Sequence, residues 1–307
     1  MNFVSSPPDG VPHQTSKWES NIMTRLHYHI PAEATAGTRT PDAALSEGNS
    51  GFPTFAFNKK WYALGKRPFH PIIHRVLDRF AKLPKGSWII EPGNGDHRLG
   101  RLQIQRDFCI AGFDISSSAV ARANSAITDL GLGDTAVLAD FPTVPLDQLR
   151  QLKPRGAFSW RVLHTMAPDV RQCTCGRLSE VLPAGASLFV ALLSDQSWER
   201  QVLGDKYVAD TPNDLKDVME FDRLRGLIPA EEQHLLPDHW RFTFFNEQSA
   251  KKLAEEVGFE ASGFEIFHEA NAWPHLSTAH PVQTWLFVEF RKPGGRNGYD
   301  AFKPVTV

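Results

Sequence analysis

Two hydrophobic periods alternate along the chain. Between Pro68 and Leu83 the residues Ile72, Ile73, Val76, Leu77 and Phe80 recur at helical spacing, and Pro84-Lys85-Gly86 ends the pattern. Short apolar runs follow at Trp88–Glu91, Phe108–Asp114, Thr135–Asp140, Gly156–Trp160 and Ser187–Leu193, each predicting a strand. Helical stretches separate them. Ser116 is placed to cap a helix running to about Leu130, with Val120, Ala123 and Ile127 inward; Leu146–Leu152 and Asp169–Val181 supply two more. Strands alternating with helices at this spacing call for a parallel sheet with right-handed crossovers.

The tail breaks the alternation. Asn246 caps a helix through Glu256, and Gly258 stands where that helix should stop. Two strand-like runs follow, Ala261–Phe267 and Thr284–Phe290, with Asn271, Pro274 and Pro281 between them and no space for a helix, so antiparallel pairing is expected. The stretch from Ser194 to Arg241 is long for a connection and is expected to fold as a small helical insertion. Residues 1–50 are rich in Pro, Gly, Ser, Thr and Ala without a sustained period, which predicts an irregular arm. Phe52, Phe55, Phe57, Trp61 and Tyr62 then crowd together, and with the leading helix make residues 51–84 an expected aromatic lid. Residues 85–293 form the expected main domain, with 194–241 as its insertion and 294–307 as a tail.

Composition narrows the function classes. A chain of 307 residues with 41% hydrophobic and 22% charged positions suits a soluble globular protein. Its formal net charge of −2 argues against a nucleic-acid groove. No apolar run approaches the roughly 20 residues of a membrane span, and the first residues lack the apolar core of a signal peptide. Three cysteines, Cys109, Cys173 and Cys175, suggest a reducing compartment, and a cytoplasmic location is expected. Cys173-Thr-Cys175 lacks the second ligand pair of a structural zinc site, and the histidines are scattered without ligand spacing, so no metal is expected.

The chemistry concentrates in Ile89-Ile90-Glu91-Pro92-Gly93-Asn94-Gly95 and, about twenty residues on, Ala111-Gly112-Phe113-Asp114-Ile115. Each is an apolar strand ending in an acid, and the first opens into a glycine turn. Glycines let a ligand approach the backbone, and the second acid suits ribose hydroxyls. Dinucleotide folds instead prefer Gly-x-Gly-x-x-Gly, with a helix N-terminus aimed at pyrophosphate. An acid ahead of the glycines repels phosphate and favours a cationic or amino-bearing ligand.

Glu91-x-Gly93-x-Gly95 resembles motif I of the class I S-adenosylmethionine-dependent methyltransferases, and the resemblance spans roughly Pro68 to Lys292. It implies an α/β, Rossmann-like doubly wound sheet of about seven strands ending in an antiparallel hairpin, with an N-terminal lid and the insertion added. It implies S-adenosylmethionine as cofactor, with Glu91, Gly93, Asn94 and Gly95 at its methionine end. Asp114 would take the ribose and Ile115 pack on the adenine; Asp140 would receive the adenine amino group beside Phe141. Ser159-Trp160-Arg161-Val162-Leu163-His164 is similar to the family's fourth motif, which puts Trp160 and Arg161 near the methionine or the substrate. His164 is open to two readings, a general base or a scaffold residue. One departure stands out. Where the family often has a third glycine this chain has His97, and Gly100 follows.

Aromatic additions to the sheet, including Trp61 and Tyr62, Trp198, Tyr207, Trp240 and Trp273, are the expected substrate walls. The expected activity is methyl transfer to an oxygen or nitrogen of a small molecule, by a monomer or homodimer with no nucleic-acid or membrane partner. Two alternatives stay open. The same fold runs S-adenosylmethionine chemistry that releases methylthioadenosine, as in azetidine-carboxylate synthases, and it also occurs in non-catalytic binding proteins. A nicotinamide dehydrogenase is disfavoured by the order of acid and glycines.

Overall fold

The computed structural model describes residues 71–95, 97–102, 106–198, 200, 218–220, 241–270 and 282–294. The arm, the aromatic cluster with Trp61 and Tyr62, and Tyr207, Trp240 and Trp273 lie outside the described residues. The chain runs through α1 (Pro71–Phe80), β1 (Ser87–Pro92), α2 (Arg98–Leu102), β2 (Phe108–Asp114), α3 (Ser117–Asp129) and β3 (Thr135–Leu138). It continues through α4 (Leu146–Gln151), β4 (Pro154–Trp160), α5 (Pro168–Val181) and β5 (Ser187–Leu193). Then come β6 (Val218–Glu220), β7 (Arg241–Thr243), α6 (Glu247–Glu256), β8 (Glu260–Ala270) and β9 (Val282–Arg291).

Seven strands make one sheet in the order β3-β2-β1-β4-β5-β9-β8. The first five are parallel, while β9 pairs antiparallel with both β5 and β8, the expected terminal hairpin. Chain order reverses between β1 and β4, so the carboxyl ends of these neighbours flank the crevice where open α/β sheets bind ligands. Every residue of β5 is buried, as expected of a strand covered on both faces.

The helices form for the reasons the pattern gave. α1 buries Ile72, Ile73, Val76, Leu77 and Phe80, each worth about 1.5–3 kcal/mol on removal from water. Two ion pairs then fasten it to the hairpin, Arg75 to Glu265 at 2.6 Å and Arg79 to Glu289 at 3.4 Å. Ser116 caps α3 by accepting from Ala119 N, and Val120, Ala123 and Ile127 pack with Ala136. Asn246 and Ser249 form a reciprocal capping box at α6, and Gly258 follows its end at φ +80°.

The insertion contributes an element that the sequence pattern did not suggest. β6 and β7 pair antiparallel as a separate two-stranded ribbon, and the remainder of residues 201–240 lies outside the described residues. Three-residue strands leave too short a period to read. The two ends of the excursion meet: Phe245 N donates to Leu193 O at 2.8 Å, and Asp195 N to Phe245 O at 3.0 Å. Arg171 of α5 reinforces this base, donating to Thr243 Oγ1 at 2.8 Å with its guanidinium 5.0 Å from the Phe245 ring.

Candidate functional site

Glu91 and Asp114 lie in the last residues of β1 and β2, and Asp140 follows β3, so the three acids share the carboxyl ends of three adjacent strands. The turn after β1 comes close to both neighbours. Gly93 and Asn94 donate their backbone N–H groups to Phe113 O at 2.7 and 3.2 Å, and Gly95 N donates to Asp114 Oδ2 at 2.8 Å. Gly93 has φ +70°, and a Cβ built there would meet Val162 Cγ1 at 2.4 Å, so both conformation and space demand glycine. The glycine loop therefore touches the β4 exit on one side and the β2 acid on the other.

Asp114 is half-buried. Its Oδ1 accepts from Ser116 N at 2.9 Å while Oδ2 holds Gly95. Burial pushes its carboxyl above the ordinary carboxylate range, and the N–H groups of Ser116, Gly95 and Ile115 draw it part of the way back. A carboxylate offers about four acceptor positions, which leaves capacity for a ribose hydroxyl. Ile115 beside it is half-buried.

Three of the expected contact residues are buried in the structure. Phe141 is 3% exposed and meets Phe113 edge to face at 5.2 Å, so its ring supports the site from within the core. Asp140 precedes it, half-buried, at the start of a 3-10 turn over Phe141–Thr143. Asn94 is also interior, at 5% exposure: its Nδ2 donates to Glu91 Oε2 at 2.8 Å and lies 3.0 Å from His97 Nδ1. Glu91 is equally buried, so the motif acid is turned toward Asn94. Burial of a short polar side chain under a loop is invisible to a motif.

Trp160 stacks between Phe158 at 5.7 Å and Phe267 at 5.2 Å, continuous with the core aromatics but partly exposed at the end of β4. Arg161 adopts φ +62°, a conformation that costs a non-glycine residue about 1–2 kcal/mol. Its guanidinium lies 4.2 Å from the Trp285 ring and donates to Gln283 Oε1 at 3.4 Å. Arg161 thus combines a left-handed backbone with a guanidinium stacked on tryptophan next to the end of β4.

His164 sits beneath this pair, 2% exposed, with its ring edge-on to Trp285 at 5.1 Å. Burial, then the charges of Arg161 and Arg171, hold its imidazole well below the usual value of 6.5. His164 thus packs into the interior against Trp285. A pH effect follows. Above about pH 6.5 neither folded nor unfolded chain is protonated there; below it the unfolded chain gains a proton that the folded chain refuses. Stability should therefore fall on acidification, by up to about 1.4 kcal/mol per pH unit from this group. Denaturant unfolding at a series of pH values should show a shallower acid loss in His164→Phe than in the parent. Parallel curves would remove His164 as the cause.

The two thiols of Cys173-Thr-Cys175 diverge on α5: Cys173 is exposed, while Cys175 is buried and its thiol is pushed up to about 12. No helix among the described residues is long and apolar enough to cross a membrane.

No family model matches the chain, and no curated protein does. Solved structures match its fold. An S-adenosylmethionine-dependent methyltransferase from Methanosarcina mazei superposes with a TM-score of 0.55 at 16% identity, covering 75% of this chain and all of that one. A magnesium protoporphyrin IX methyltransferase from Synechocystis with bound S-adenosylhomocysteine gives 0.50 at 14% identity, over 78% of this chain and 95% of the other. Phosphoethanolamine N-methyltransferase 2 from Haemonchus contortus gives 0.50 at 12%, over 78% of this chain and 58% of that longer one. The fold is that of the class I S-adenosylmethionine-dependent methyltransferases.

Proposed function

We propose that the protein binds S-adenosylmethionine at the β1–β2–β3 corner and transfers its methyl group to an oxygen or nitrogen of a small molecule. The observation that carries this reading is the set of acids Glu91, Asp114 and Asp140 at the carboxyl ends of three adjacent strands, with the Gly93–Gly95 turn bonded to the second of them. Asp114 would take the ribose and Asp140 the adenine amino group, with Ile115 against the adenine face. The buried Glu91 would hold the methionine end through the shape of its loop. Trp160 and Arg161, at the β4 exit that touches Gly93, would face the sulfonium end and the acceptor, with Trp61 and Tyr62 on the substrate side.

The cofactor would supply a methyl group already activated on sulfonium, so the chain's own task is alignment and exclusion of water. A buried, neutral His164 is compatible with that division of labour. The magnesium protoporphyrin and phosphoethanolamine methyltransferases act on small molecules, which supports that acceptor class here.

The test is incubation with S-adenosylmethionine and a panel of small hydroxyl and amine acceptors, followed by mass spectrometry. Acceptor-dependent S-adenosylhomocysteine is the expected product. Methylthioadenosine would instead mean transfer or cyclisation of the aminobutyrate arm, and binding without either product would mean a non-catalytic protein. A substitution tests the loop directly. Gly93→Ala should weaken cofactor binding by at least about tenfold, since it adds left-handed strain to a clash with Val162. Gly93→Ala with Val162→Ala should recover part of that loss, and equal affinity of Gly93→Ala and parent would contradict the placement.

A further inference from the structure

His97 stands where a third glycine is common in this loop, and the structure shows what it does there. Its backbone is left-handed at φ +62°, the conformation a glycine would adopt freely, and its side chain is fully buried. The imidazole Nε2 lies 2.5 Å from Asp134 Oδ2, and Nδ1 lies 3.0 Å from Asn94 Nδ2. Asn94 Nδ2 carries two N–H groups and has two acceptors, Glu91 Oε2 and His97 Nδ1. That assignment makes Nδ1 an acceptor and leaves Nε2–H to donate to Asp134.

Asp134 is a fixed anchor. Its Oδ1 accepts from Ile110 N at 2.8 Å, Arg106 pairs with Oδ2, and the carboxylate is 1% exposed. Burial alone would raise its carboxyl; His97 and Arg106 outweigh this and hold it below the ordinary range. Two glycines make room for the chain of contacts. A Cβ at Gly100 would meet His97 Nε2 at 1.9 Å, and one at Gly112 would meet Asn94 Cγ at 2.3 Å. The late Gly100 thus serves the imidazole.

We propose that His97 is a positioning residue for the cofactor loop: braced by Asp134, it fixes Asn94, and through Asn94 it fixes the Glu91 carboxylate and the Gly93–Gly95 turn. This rests on the reading of that loop as the S-adenosylmethionine site. The relay replaces the plain glycine turn with a side-chain framework running from β2 to the tip of β1.

The experiment is a double-substitution cycle read by calorimetric titration with S-adenosylmethionine, using the parent, His97→Ala, Asn94→Ala and the double variant. Melting temperatures identify the folded samples. Each single change should raise the dissociation constant roughly tenfold or more, the scale of one buried hydrogen-bond contact, and the double variant should be no weaker than the worse single. Strictly multiplicative losses, or folded His97 variants that bind as tightly as the parent, would overturn the relay. If His97→Ala does not fold, the cycle is run with His97→Gln, which keeps a donor toward Asp134 while withdrawing the acceptor from Asn94. A parent that does not bind S-adenosylmethionine would overturn the cofactor reading itself, an outcome distinct from unaltered variants of a binding parent.

Discussion

Trp285→Ala should destabilise the protein by about 3–5 kcal/mol, the cost of emptying a large aromatic site in a packed interior. Trp285 is 2% exposed in the long hairpin strand β9, opposite Leu193 of β5 and Phe267 of β8. One face carries the Arg161 guanidinium and its ring also receives His164 edge-on. Truncation therefore does more than open a cavity. It removes the platform under Arg161 and admits water toward His164, so the acid loss of stability described above should shrink in the same variant. Trp285→Phe retains most of the buried area and should cost well under half as much. Chemical denaturation of both variants at neutral and mildly acidic pH measures the two effects together. A loss below about 1 kcal/mol for alanine would show that the hairpin does not depend on this ring.

Asp114→Ala is the second large change, and it acts on binding as well as on the loop. The carboxylate accepts from Gly95 N and Ser116 N, so its removal strands one backbone donor in the turn after β1 and one just past β2. Losing hydrogen bonds to a charged group costs about 1.5–3 kcal/mol, which on a dissociation constant is roughly ten- to a hundredfold or more. Asp114→Asn is a sharp comparison: it keeps one acceptor oxygen but turns an NH₂ group toward one of the two backbone donors. Both variants should bind cofactor more weakly than the parent, with asparagine the milder. A dissociation constant unchanged in folded Asp114→Ala would remove this residue from the site.

These residues show how far the sequence could be read. Phe108–Asp114 and Ser187–Leu193 were legible residue for residue, because fully apolar strands bounded by an acid or by Pro-Ala-Gly leave little choice of register. The hairpin was legible from the missing helix between its strands, and the α6 cap from Asn246. The paired β6 and β7 were not, because two three-residue strands far apart in sequence carry no period.

At the site, spacing identified which residues cluster but not which way they face. Asn94 and Phe141 follow strands at the crevice, as cofactor contacts do, yet packing turns both inward. Arg106 and Asp134 belong to no motif, and only the fold brings them to the loop. Their one sequence signal was His97 itself. His97 holds φ +62° with its side chain partnered by Asp134 and Asn94, and Gly100 and Gly112 leave the space that His97 and Asn94 occupy.

The most direct measurement is calorimetric titration of the full chain with S-adenosylmethionine. One site per chain with a micromolar dissociation constant, weakened in Asp114→Ala, is the result this account requires. Absence of binding at millimolar cofactor by a folded protein would contradict it, and the acids at the carboxyl ends of β1, β2 and β3 would then have no common ligand.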